Sequence, residues 1–390
     1  MDPLRNPYRP GGGRRPPALV GRDGEIRDFE IALQRFEIGD DDRSQLLYGL
    51  RGVGKTVLLG EFQRIAEARN WPCHSIEISE RVDFAKEIAN LARKALLQLS
   101  AREKLGDLVR RGLSVLRSFQ IRYQLPEGPE VAFGLEPALG VADYGSLHGD
   151  ISDLLVAVGR AAQPRGSGAV FTVDEFQFLP AEEMEALIVA LHRISQQGLP
   201  VLFVGAGLPS LPGKMGDARS YAERLFEFRR INSLGPDEAR LALARPATER
   251  GVRWTEAALD AVVRRTRGYP YFLQAFGRHC WRAAPGPTEI TEEDVARATR
   301  DAFGSLDEGF FQVRYDRATP AGHRYLEAMA ALGSGPYLSR DVAARLKRRP
   351  NQVSAQRDAL IRLGLCYAPR HGEIAFTVPL FDEFVRRTST

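Results

Sequence analysis

Gly49-Leu50-Arg51-Gly52-Val53-Gly54-Lys55-Thr56 fits the pattern G-x-x-x-x-G-K-[ST], in which glycines curl the backbone so that successive N–H groups face a phosphate. The flanks agree with that reading. Gln45-Leu46-Leu47-Tyr48 is a short apolar run, and Val57 to Ala66 carries apolar residues at helical spacing. A helix that opens on such a loop turns its positive dipole end toward an anion. The motif therefore predicts a nucleotide cradle built from Gly49, Arg51, Gly52, Val53, Gly54, Lys55, Thr56 and Val57. Lys55 reaches the β- and γ-phosphates and the Thr56 hydroxyl ligates Mg²⁺, so ATP and Mg²⁺ are the expected ligands.

Around this motif the chain has 390 residues, enough for two or three domains. Its hydrophobic content of 44% and charged content of 27% are those of a soluble globular protein. No apolar run reaches the length of a membrane span, and the first ten residues hold no apolar signal core. Cys73, Cys280 and Cys366 lie far apart, which argues against a disulfide framework and a zinc site and leads to the expectation of a cytoplasmic location. The net charge is +4, and the segment from Thr319 to Thr390 holds eleven Lys/Arg against six Asp/Glu. The excess is thus C-terminal, as an anionic partner or a solvated basic face would each produce.

Residues 1–17 are rich in Pro, Gly and Arg and read as a flexible arm. A helix is expected from Glu25 to Phe36, with Asp23 as its cap, and a second strand over Cys73–Ile78. Residues 82–118 read as helical. Residues 119–148, with Pro126, Pro129, Pro137 and the alternating 130–135, read as an irregular insertion or hairpin. Helices over 150–162 and 181–197 then alternate with strands over 169–173, 200–204 and 227–231. Such alternation predicts an α/β fold, a parallel sheet with helices on both faces. The expected domains are a P-loop ATPase domain over 18–234, a helical lid over 235–312 and a winged helix over 319–390.

Ala169-Val170-Phe171-Thr172-Val173-Asp174-Glu175 is an apolar strand that ends in two carboxylates, the form of a Walker B motif. Beside the P-loop, Asp174 supports Mg²⁺ and Glu175 polarises a water for attack on the γ-phosphate. Together these motifs resemble the AAA+ superfamily, and within it the branch shared by origin-recognition-type and STAND ATPases. Leu19-Val20-Gly21-Arg22-Asp23-Gly24-Glu25 resembles the box that precedes the P-loop there, and Gly268-Tyr269-Pro270 resembles the G-x-P element of the lid. The resemblance places Val20, Gly21 and Arg22 near the adenine and packs Pro270 by the base. It also gives Arg224 the place of an arginine finger, with Arg229 and Arg230 close by. Two features depart from the family. Leu202-Phe203-Val204-Gly205-Ala206-Gly207 has no polar sensor residue, and no sensor arginine stands beside the G-x-P.

The C-terminal segment has a winged-helix cadence, with helices over 321–332, 339–346 and 352–363 and two wing strands over 364–367 and 374–378. As a duplex DNA reader it would present Asn351, Gln352, Gln356 and Arg357 to bases, with Arg348, Arg349 and Arg370 on phosphates. Packing against protein is the other use of such a module. The sequence thus leads to an ATP-dependent switch with slow, Mg²⁺-dependent hydrolysis, Glu175, Lys55 and Arg224 being the candidate catalytic groups. A DNA-binding AAA+ regulator or loader and a non-hydrolysing, ATP-ordered interaction module are the alternatives. A homo-oligomer or a protein partner is expected, and no membrane.

Overall fold

The computed structural model describes residues 1–79, 82–100, 106–126 and 134–388. Its core is a five-stranded parallel sheet. Helix α1 (Asp23–Glu37) precedes β1 (Ser44–Tyr48), the P-loop and α2 (Lys55–Ala68), and β2 (Cys73–Glu77) follows. Next come α3 (Phe84–Ser100), α4 (Asp107–Arg122), α5 (Leu147–Ala162), β3 (Ala169–Asp174), α6 (Ala181–Gln196) and β4 (Val201–Gly207). Short α7 (Leu211–Ala218) and α8 (Ala222–Leu225) lead into β5 (Phe226–Arg230). The strand order is β2-β3-β4-β1-β5, every neighbour parallel. This puts β1 and β3, the strands that carry the two motifs, on either side of β4.

Alternation along the strands sorts the core onto two faces. Leu47, Val170 and Val204 look toward α1 and α2, where Phe29 and Phe62 stack with ring centroids 4.2 Å apart. Leu46, Phe171 and Phe203 look toward α3, α5 and α6. Burial on both faces is why these strands read as continuous apolar runs. The helical reading of 82–118 resolves into two helices, α3 and α4, both packed on α5. The expected insertion is smaller than its span, because α4 runs on to Arg122 and irregular backbone covers 134–146. Most of the alternating 130–135 lies outside the described residues. Helix α1 starts at Asp23 itself and its cap position is Arg22, so Asp23 acts in the first turn, where its charge suits the dipole.

The lid comprises α9 (Pro236–Thr248), α10 (Glu256–Thr266), α11 (Pro270–Ala283) and α12 (Glu292–Leu306). Between them, β6 (Arg253–Trp254) and β7 (Glu289–Ile290) form a small parallel pair that the all-helical expectation lacked. A π-helical turn at Asp307–Gln312 and a short α13 (Val313–Tyr315) lead onward. The C-terminal region is α14 (Pro320–Ala330), β8 (Tyr337–Leu338), α15 (Ser339–Arg345), α16 (Pro350–Arg362), β9 (Cys366–Tyr367), β10 (Glu373–Phe376) and α17 (Phe381–Thr388). Its antiparallel sheet, β8-β10-β9, fits a winged helix with one strand and one closing helix beyond those expected. One apolar cluster runs from the sheet through the lid into this region, where Phe311 stacks on Phe384.

Residues 1–17, expected as a flexible arm, make contacts with the lid. The N-terminal ammonium donates to the Ala284 carbonyl at 2.6 Å, Trp281 Nε1 donates to the Asp2 carbonyl at 2.9 Å, and Tyr8 is buried in the lid. Aromatic and amide side chains within a Pro/Gly-rich composition are what fix it.

Candidate functional site

The P-loop turns at Gly52 and Gly54, with φ of 85° and 100°, values that an L side chain would strain. Gly54 caps α2, so the first helical residues are Lys55 and Thr56. Lys55 is buried, and its ammonium donates to the carbonyls of Gly49 and Leu50 at 2.8 and 2.9 Å. Burial draws the Lys55 ammonium down to about 8, against the opposing pull of Glu175 and Asp174. Gly49 serves a different purpose from the one expected. Its missing side chain admits the Ile231 carbonyl, which would stand 2.1 Å from a Cβ. Gly49 thus joins the exits of β1 and β5 rather than lining the pocket.

Thr56 Oγ1 donates to Asp174 Oδ2 at 2.5 Å, and the other Asp174 oxygen accepts the Glu175 N–H at 2.8 Å. Two oxygens so placed, beside a pocket for phosphates, fit Mg²⁺, which is held by one or two protein oxygens plus phosphates and water. Among the described residues no cluster of three His, Cys, Asp or Glu offers another metal site. Glu175 adopts left-handed backbone, φ 52°, at a cost of roughly 1–2 kcal/mol for a non-glycine residue. Its carboxylate meets Arg51 Nη2 at 3.2 Å and accepts from Gln177 Nε2.

Gln177 is a residue that sequence reasoning missed. It is buried, its Oε1 accepts the Leu208 N–H at 2.9 Å, and a Cβ on Gly207 would lie 2.6 Å from that oxygen. The end of β4 carries no polar side chain, and Gln177, on the turn after β3, fills the space beside Gly207. Its sequence context, a glutamine between Phe176 and Phe178, gave no sign of this.

The cavity over the P-loop has a volume of about 420 Å³, within the range of small-molecule sites. Arg51, Gly52, Val53, Gly54, Lys55, Thr56 and Val57 line it beside Asp174 and Glu175, while Val20, Leu234, Ala242 and Pro270 form an apolar end. Gly21 lies outside that lining, with φ 65° and Glu238 against its Cα. Arg22 is committed to the backbone, donating to Asn232 O at 2.6 Å and Val53 O at 3.0 Å. It holds the loop in shape while lining the cavity.

Three further groups line the same cavity: residues 9–14, Phe310 and Arg314. Arg314 lies 3.8 Å over the Phe310 ring and donates to the Phe310 carbonyl at 2.7 Å. Among the described residues it has no carboxylate partner, and burial together with nearby Arg51 lowers the hold on its proton. A crowded cation facing a cavity suits an anion there. No motif marks Arg314, since it reaches the pocket from beyond the lid.

Arg224 lies elsewhere. It borders a second hollow with Asp42, Ser44 and Val201, at the opposite ends of the strands. Arg229 pairs with Asp28 and Glu227. The expected DNA face is also divided. Arg348, Arg349, Asn351 and Arg370 are exposed, but Gln352 caps its own helix by accepting the Arg349 N–H at 2.9 Å. Arg357 is held by Asp358 and the Glu373 carbonyl, and Gln356 is half-buried. Of these three only Gln352 is exposed, and its amide nitrogen is not used in the cap.

A P-loop and a strand-end carboxylate pair on a β2-β3-β4-β1-β5 sheet, followed by a helical lid, define an AAA+ P-loop ATPase. Residues 18–204 match the AAA ATPase domain model, which supports an origin-recognition-like AAA+ P-loop ATPase. Residues 308–385 match a domain of unknown function, DUF8462. Origin recognition complex subunit 4 of Cricetulus griseus and of Pongo abelii are each 22% identical over 188 residues, which is 48% of this chain and 36% of theirs. The chain thus matches about a third of the length of these relatives. The Walker-type ATPase of Pyrococcus abyssi superposes with a TM-score of 0.57 at 16% identity, covering 95% of this chain and 97% of that one, a likeness of fold. No helix among the described residues is long and apolar enough to cross a membrane.

Proposed function

We propose that this chain is an ATP-dependent switch with slow, Mg²⁺-dependent hydrolysis, in which the units 18–234, 235–312 and 319–390 respond to the phosphates. One observation carries the reading: the C-terminal module touches the P-loop itself. The Arg51 N–H donates to the Thr377 carbonyl at 3.0 Å, while the Arg51 side chain holds Glu175. The same residue therefore touches the wing, the phosphate cradle and the candidate base. Lys55 and Arg314 offer charge to the phosphates, and Thr56 and Asp174 would hold Mg²⁺, which neutralises charge on the leaving group. Glu175 accepts the proton of the attacking water once Arg51 turns toward phosphate and releases it. With Glu175 paired in the phosphate-free site, slow turnover is expected.

Steady-state phosphate release by wild type and Glu175→Gln tests this. Turnover should fall by about 10²–10⁴ in the variant, with ATP still bound. Equal rates would remove Glu175 from the chemistry. Arg224 lies too far around the sheet to serve its own pocket, so a role at phosphate requires a second copy. Mixing Arg224→Ala with Lys55→Ala protein would then restore activity that neither has alone.

A second reading, a DNA-associated regulator, is favoured by the exposed turn that carries Lys347, Arg348 and Arg349 at the start of α16. Duplex binding that weakens steeply with salt and with Arg348→Ala/Arg349→Ala would support it. No binding at low salt would exclude it.

A further inference from the structure

We propose that residues 9–14 form a strap that completes the nucleotide site and sets the rate of nucleotide release; this rests on the nucleotide-binding reading above. The strap is moored at both ends, to different units. On the lid side, Tyr8 Oη donates to the Leu243 carbonyl at 2.5 Å and accepts from Trp254 Nε1 at 2.8 Å. The Tyr8 ring lies on Gly277, where a Cβ would stand 2.6 Å from it. Next along, the Arg9 N–H donates to Gln274 Oε1 at 3.2 Å. On the far side, Arg15 Nε meets Glu61 Oε2 at 3.1 Å, on the helix that starts with Lys55 and Thr56.

Between the moorings the chain lines the cavity and passes over the metal-binding threonine. A Cβ on Gly13, φ 67°, would lie 3.3 Å from Thr56 Cγ2. Three successive glycines allow that approach and leave main-chain donors unhindered. Among the described residues, the N–H groups of Gly11, Gly12 and Gly13 make no hydrogen bond to protein. Unsatisfied N–H groups in a glycine turn are a fitting contact for an anion, and Arg9 and Arg14 add positive charge to the rim. The strap thus recognises the phosphate part of a nucleoside di- or triphosphate. A nucleotide leaves only when the Arg15–Glu61 mooring parts or the lid swings away.

Trypsin tests this on the full chain. Within the strap only Arg14 is followed by a residue other than proline, so cleavage there reports its opening. Saturating ADP with Mg²⁺ should slow that cut about tenfold or more, because cleavage follows the open population. In parallel, release of a methylanthraniloyl-ADP probe is followed by stopped-flow chase. Removal of residues 1–14 should speed release about tenfold, and Arg15→Glu, a surface change that repels Glu61, about threefold. If the deletion fails to fold, Arg15→Glu and the wild-type cleavage still decide. Bound probe with unchanged cleavage and unchanged release would overturn the strap alone. A wild type that binds no nucleotide would overturn the nucleotide reading and the strap with it.

Discussion

Lys55 shows how one side chain links burial to binding. Its ammonium titrates at about 8 rather than 10.5, chiefly because it is buried. Between those values the unfolded chain holds more protons than the folded one, so the cost to stability is fully present below about 8 and is relieved as pH rises toward 10.5. Phosphate beside Lys55 favours the charged form, so binding above pH 8 must take up a proton. ATP affinity should therefore fall by up to about tenfold per pH unit above 8. Calorimetry at pH 8.5 in buffers of different ionisation enthalpy should show that uptake, and Lys55→Arg should lose it. A flat profile from pH 7 to 9.5 would refute the depressed ammonium. Arg314 makes a second case at this scale. Losing a charge-assisted bond costs about 1.5–3 kcal/mol, so Arg314→Ala should weaken ATP at least about tenfold while leaving its melting temperature near wild type. Equal loss for ADP would place Arg314 on the inner phosphates instead of the terminal one.

The elements around the site depend on close backbone approaches. Gly268, between α10 and α11, has φ 68°, and a Cβ there would stand 2.2 Å from the Leu234 carbonyl. That contact, with the Leu234 N–H donating to Gly268 O at 2.9 Å, seats the lid on the chain leaving β5. Gly268→Ala combines a strained φ with a backbone clash and should cost about 1–3 kcal/mol, read as a lower melting temperature. Unchanged stability would mean that the lid joint is soft. Strands and helices here were legible because their apolar period is strong: β1, β3 and β4 lie within a few residues of their sequence boundaries. The break between α3 and α4 was not, since apolar spacing continues through both helices. Strands β6, β7 and β8 were missed because runs of two residues leave little period to read.

At the scale of the whole molecule, the C-terminal module rests on the P-loop. A Cβ on Gly364, φ 68°, would meet Arg51 Nη2 at 2.8 Å, beside the Arg51–Thr377 bond. Gly364→Val should push the module away. If docking and nucleotide binding are coupled, ATP affinity should change about fivefold or more, the low end of allosteric couplings. Small-angle scattering should show an enlarged particle. Displacement without any change in affinity would break the link between wing and pocket and leave the C-terminal module a passenger.

The sequence by itself determined the phosphate cradle, the carboxylate pair and the parallel sheet that brings them together. Each is a local pattern, whose spacing sets the backbone path and so the chemistry. It left unread Gln177 at Glu175, Arg314 and Phe310 at the pocket wall, the N-terminal segment held by Tyr8, and the C-terminal module on Arg51. All of these join residues distant in the chain or hidden in an unmarked context, and only the packing of sheet, lid and C-terminal module against one shared core brings them to the same cavity. The same packing seats the N-terminal segment, expected as a flexible arm, against the lid, and ties Arg357 to Asp358 and the Glu373 carbonyl.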